Sequence, residues 1–143
     1  MPTGVFNYRR NVQDDDLDLQ GHVNNVEYVR WMQDAAVAHI SSLGWTPEKH
    51  LENGIVWVAS THTIHYRSPA FQGDSVVVRT WVENMRKVRS LRKYEIIRDS
   101  DETLLAVAET DWALLSVEEQ RPVRIPAEIV VLFENLKSDS IKK

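Results

Sequence analysis

Apolar and polar positions change period along the chain, and each change marks an element. Residues 4–13, GVFNYRRNVQ, alternate Val5, Asn7 and Arg9 with Phe6, Tyr8, Arg10 and Val12, which predicts a strand with one better-buried face. The polar stretch DDDLDLQGHVNN follows at 14–25. From Asn24 or Asn25 to Leu43 the period is helical: Val26, Val29, Gln33, Ala36 and Ile40 make a stripe, widened by Met32, Val37 and Leu43. Asn24 suits the N-cap and Gly44 the C-terminal stop. Thr46-Pro47 then opens a short helix that ends before Gly54.

Beyond Gly54 the β-branched and aromatic residues read as strands at 55–67, 75–83, 88–98 and 103–117. Pro69 and Gly73-Asp74 mark a turn after the first, 84–87 is a basic turn, and 99–102 a tight polar one. RPVRIP (121–126) leads into a last helix at 127–135, and 137–143 is a polar, frayed tail. Short turns between successive strands predict antiparallel pairing. One long helix across the concave face of a five-stranded sheet gives a two-layer α+β fold, a single domain over 1–143.

Composition narrows the chemistry. The 143 residues suffice to build a core without disulfide or metal, and there is no cysteine, which excludes thiolate metal sites and cysteine nucleophiles. A net charge of −4 argues against a general nucleic-acid binder. No apolar run reaches the ~18 residues of a membrane helix, and residues 1–13 lack the apolar core of a signal peptide. The expected setting is cytoplasmic, with no nucleic-acid or membrane partner.

Three readings compete for the acidic segment. Asp14, Asp16 and Asp18 have the 1, 3, 5 spacing of a calcium loop, but that loop needs glycine at position 6 and glutamate at 12, where this chain has Leu19 and Asn25. A solvated acidic turn at a helix N-terminus is the plain alternative. An active site is the third: free N–H groups at a helix start hold the oxyanion of a carbonyl under attack, with a carboxylate just upstream as nucleophile or base. Gly21 would let the backbone pass close to a substrate.

The stretch from Asp16 to Tyr28, DLDLQGHVNNVEY, resembles the signature of hotdog-fold thioesterases. The nearest group is the 4-hydroxybenzoyl-CoA thioesterase-like (acyl-CoA thioester hydrolase) family, with its pattern D-x-D-x-x-G-x-V-x-x-x-x-Y. HVNN (22–25) is also similar to acyl-ACP thioesterases, YRSPAFQGD (66–74) to the family's strand-to-turn passage, and RPVRIP to its final strand exit. The resemblance implies a hotdog fold and hydrolysis of an acyl-CoA, or acyl-ACP, thioester. Asp18 takes the place of the catalytic carboxylate, nucleophile or general base, and the Asn25 N–H that of the first donor to the carbonyl. His22 stands where relatives vary, to orient substrate or water or only to pack. Tyr28 lines the acyl pocket or the core; Asp16 orders the turn, and Asp14 and Asp15 are solvated. The turn carrying Arg86, Lys87, Arg89 and Ser90 takes the place where the family binds coenzyme A, and its cations suit phosphates.

The resemblance further implies homodimers joined edge to edge, with sites at the interface, and dimers of dimers. No metal or redox cofactor is implied. A non-catalytic acyl-CoA-binding module is the alternative of a different class. His62 and His65 lie three apart on a predicted strand and face opposite sides. There is no G-x-S-x-G, H-E-x-x-H or P-loop, and Glu109 and Asp111 receive no role. Trp31, Trp57, Trp81 and Trp112 either shape an aromatic or aliphatic acyl pocket or fill the core, and core is the preferred reading.

Overall fold

A computed structural model describes the backbone of residues 3–142 and the side chains of residues 3–137. Strand β1 (Phe6–Asn11) is followed by a 3-10 turn (Asp14–Asp16), helix α1 (Asn25–Ser42) and helix α2 (Pro47–Glu52). Then come β2 (Ile55–Tyr66), β3 (Ser75–Arg86), β4 (Arg89–Arg98), β5 (Leu104–Ser116) and α3 (Ala127–Lys142). The five strands form one antiparallel sheet in the order β1-β3-β4-β5-β2, packed on α1. This is the expected α+β architecture of a sheet around one long helix.

Four expectations need correction. β2 does not pair with β3: it lies at the far edge beside β5, with Ile55 opposite Ser116 and Tyr66 opposite Ala106. Residues 67–74 are therefore a crossover past the ends of β5 and β4, not a hairpin turn. They are fixed there by the Arg67 N–H to the Leu105 carbonyl (2.8 Å), and by Arg98, whose guanidinium reaches the Pro69 carbonyl (2.7 Å) and the Asp74 carboxylate (3.1 Å).

The second correction is the face of α1. Tyr28, Trp31, Met32, Ala35, Ala36 and His39 are buried, whereas Val26, Gln33 and Val37 are exposed. The observed stripe has the i, i+3, i+4, i+7 spacing of a core-facing helix. It is set by the large aromatic rings, which bury more area than valine. The basic turn is also tighter than expected, because β3 runs on to Arg86 and only residues 87 and 88 turn. The last helix continues past 135 to Lys142, so the backbone of 137–142 is helical.

The core has two parts. Tyr28, Trp31 and Met32 of α1 pack on Val76, Val78, Tyr94, Ile96 and Ala108 of the sheet. At the other end of the sheet, Ile129 and Phe133 of α3 pack with Trp45, Ile55, Val82 and Leu114. Ser90, Arg92, Tyr94 and Ile96 all point from β4 to the helix side, and the alternation β4 requires is clean.

Candidate active site

The acidic segment folds as two small pieces with different tasks. Asp16 is buried, 4% exposed. Its carboxylate accepts the Gln13 N–H (2.8 Å) and pairs with Arg10 (3.3 Å), and its carbonyl accepts the Asn24 N–H (2.7 Å). Asp16 thus joins the end of β1 to the entrance of α1. Asp14 and Asp15 are exposed, Asp14 in contact with Gln72 of the crossover.

Residues 17–23 form a tight hairpin. Leu17 bridges Val23, the Asp18 N–H donates to the His22 carbonyl (2.7 Å), and the Gly21 N–H donates to the Asp18 carbonyl (3.1 Å). Gly21 has φ +79°, and a Cβ there would meet nothing within 4 Å. Glycine is needed for the left-handed backbone, not for space. Oδ1 of Asp18 accepts from the N–H groups of Gln20 (2.8 Å) and His22 (3.1 Å). Oδ2 has no partner among the described residues. One carboxylate oxygen therefore holds the loop and the other faces outward from an exposed side chain.

At the helix entrance, the Asn24 side chain accepts the Val26 N–H (3.1 Å) and its carbonyl the Glu27 N–H (2.9 Å). Among the described residues, nothing accepts the Asn25 N–H. It is an unpartnered donor at the positive end of an 18-residue helix. Val23 donates to the Ala70 carbonyl (2.9 Å) and His22 bridges Phe71, so the crossover braces the loop from below.

Asp18, His22, Asn25 and Tyr28 line one cleft of about 250 Å³, together with Tyr66, Arg67 and Ser68. The Tyr28 ring stacks on Trp31 and meets the edge of Tyr66, whose hydroxyl donates to the Asn25 carbonyl (3.2 Å). Burial raises both phenols above the ordinary tyrosine range, Tyr28 with a partial offset from the Ala70 backbone, so both stay neutral. The His22 ring packs edge-on against Phe71. Tyr66, Arg67 and Ser68 were not assigned to the site from the sequence. Their signal was the segment YRSPAFQGD, read there as a turn and not as a wall of the cleft.

The basic hairpin lies elsewhere. Tyr66 sits level with Ala106 of β5 and Arg89 with Ala113. At ~3.3 Å per residue the two levels are roughly 23 Å apart, so a single chain does not bring cleft and hairpin together. Arg89 is engaged by Asp111 (3.1 Å) and Ser60 (3.0 Å), while the side chains of Arg86 and Lys87 are exposed and make no hydrogen bond or ion pair among the described residues. Ser90 is buried and faces the helix side. No group of His, Asp or Glu among the described residues is arranged to hold a metal ion.

The family model of the thioesterase-like superfamily matches residues 12–133. The chain belongs to this superfamily. Thioester hydrolysis is the chemistry of that class. The chain is 25% identical over 133 residues to the acyl-CoA thioesterase YbgC of Haemophilus influenzae, covering 92% of this chain and 96% of that one. Its fold matches the 1,4-dihydroxy-2-naphthoyl-CoA thioesterase Slr0204 of Synechocystis with a TM-score of 0.85 at 22% identity, over 92% of this chain and 97% of the other. It also matches SAV2348 of Staphylococcus aureus, solved in complex with CoA, with a TM-score of 0.89 at 15% identity, over 98% and 88%. The architecture described above is thus the hotdog fold.

Proposed function

We propose that this protein is an acyl-CoA thioesterase in which Asp18 is the catalytic carboxylate and the Asn25 N–H polarises the thioester carbonyl. The observation that carries this reading is the pairing, in one cleft, of an aspartate with one oxygen anchored and one unengaged, and a helix-start amide without an acceptor. Anchoring through Oδ1 fixes the carboxylate's direction before substrate arrives, which is where much of catalytic power originates. The thioester oxygen docks on the Asn25 N–H. Oδ2 then attacks the carbonyl carbon, expelling the CoA thiolate and leaving a mixed anhydride for water, or takes a proton from the water that attacks. His22, packed on Phe71, shapes the cleft wall beside Asp18, and Gly21 sets the backbone turn that aims it. Tyr28 closes the floor.

CoA is held by phosphates at Arg86 and Lys87 of a second copy. β2 is a 12-residue edge strand, exposed along much of its length. Two such edges paired antiparallel about their middles, by a two-fold axis, carry the hairpin of one copy to the end of the sheet where the other keeps its cleft. This homodimer, or a pair of them, completes the site that one chain leaves divided.

Asp18→Asn tests the reading. kcat/KM on acyl-CoA is expected to fall by about 10²–10⁴, with folding unchanged. Near-wild-type turnover removes Asp18 from the chemistry. A panel of aliphatic and aromatic acyl-CoAs, with matched acyl-ACPs, identifies the acyl group and the carrier.

A further inference from the structure

A second polar centre lies on the helix side of the sheet, away from the cleft of Asp18. Arg92 of β4 is 4% exposed and forms no ion pair among the described residues. Both of its hydrogen bonds leave from Nη1, to Nδ1 of His39 (3.0 Å) and Oγ1 of Thr80 (3.1 Å). Nε and Nη2 have no protein partner among the described residues. The guanidinium borders a cavity of about 70 Å³ whose other walls include Ile40, Trp57, Val82, Met85, Trp112 and Phe133. A buried cation with no counter-charge is costly, and structures that retain one commonly pair it with an anion. Nε and Nη2 are the two donors that form a side-on fork for a carboxylate. The apolar and aromatic walls suit a short hydrocarbon stem.

We propose that this cavity is a carboxylate site, binding a small acid whose carboxylate sits on Nε and Nη2 of Arg92 and whose stem lies among Trp57, Val82, Met85 and Phe133. The ligand is a free monocarboxylic acid or the far carboxylate of an acyl group that carries two. Burial lowers Arg92 to about 10, so it keeps its charge at neutral pH. His39 is lowered to about 3, by burial first and by Arg92 second, so its ring is neutral and accepts the Nη1 proton without competing for the anion. The Phe133 ring, which also lines the cavity, lies within cation–π reach of the guanidinium, 6.0 Å from ring centroid to Cζ. This site does not depend on the role given to Asp18.

The test is a chemical-shift titration of the tryptophan indole N–H signals with sodium butyrate and with butyramide at fixed ionic strength. Butyrate is expected to bind saturably, and at least about tenfold more tightly than the amide. Arg92→Met, close in volume and apolar, should abolish the difference. In parallel, the kcat/KM ratio for dodecanedioyl-CoA over dodecanoyl-CoA is measured in both proteins, a chain long enough to span the roughly 13 Å between the Tyr66 and Arg92 levels of the sheet. A ratio that drops roughly tenfold in Arg92→Met identifies the acyl end as the source of the carboxylate; an unchanged ratio with butyrate bound identifies the free acid. Equal binding of acid and amide by the wild type, or no butyrate binding with an unchanged ratio, overturns the proposal. Absence of any hydrolysis leaves the titration intact and counts against the thioesterase reading alone.

Discussion

Asp16 and Asp18 are two positions apart and differ in everything but side-chain chemistry. Asp16 is enclosed and fully used by Arg10 and the Gln13 N–H; Asp18 is exposed and half used. Their substitutions should therefore separate. Asp16→Ala leaves Arg10 half-buried without its carboxylate and the Gln13 N–H without an acceptor. Urea unfolding is expected to show a loss of about 2 kcal/mol, after allowing for solvent screening at Arg10. Asp18→Asn keeps an oxygen for the Gln20 and His22 amides, so its stability should stay within about 0.5 kcal/mol of wild type while activity falls.

At the scale of elements, most of the fold was legible because each strand and helix carries its own punctuation: Asn24 and Thr46 cap their helices, and Pro47 and Gly54 bound α2 as expected. What was not legible depends on neighbours distant in sequence. The stripe of α1 was sought among aliphatics, yet Tyr28, Trp31 and His39 hold the core face because the sheet opposite offers room for rings and a hydrogen-bond partner for His39. The β2–β3 link looks like a turn by composition, but the pairing of β2 with β5 makes it a crossover, held in part by bonds from Arg98 and Val23 to the Pro69 and Ala70 carbonyls. The candidate site was legible in part. The spacing of Asp18 and Asn25 could be read locally, but Tyr66, Arg67 and Ser68 reach the cleft through that crossover. β2 itself carries a prediction. Val56 and Val58 stand 39% and 42% exposed on this edge strand. The double change Val56→Lys/Val58→Lys puts two charges on an edge that a second copy would have to desolvate in order to pair. Light scattering should then report a monomer, with acyl-CoA turnover falling together with the dimer.

For the whole molecule, the buried polar groups set the response to acid. His39 is neutral in the folded protein down to about pH 3, whereas in the unfolded chain a histidine binds its proton below about 6.5. Between these values the unfolded state holds the extra proton, so stability falls as pH falls. Denaturant unfolding should lose about 2 kcal/mol between pH 7 and pH 5 from this residue. His62 is lowered by burial in the same direction and adds to the slope. His39→Gln, which keeps an acceptor for Arg92, should flatten the dependence without abolishing it.

The entrance of α1 has a consequence for how ligand and fold relate. Every N–H in the first turn through Glu27 has an acceptor in the chain except that of Asn25. A carbonyl docked there enters the ladder of the helix as its missing first rung. On the proposed function, a bound thioester would be, for the length of one turnover, a part of the secondary structure, held by the same geometry that holds the helix together.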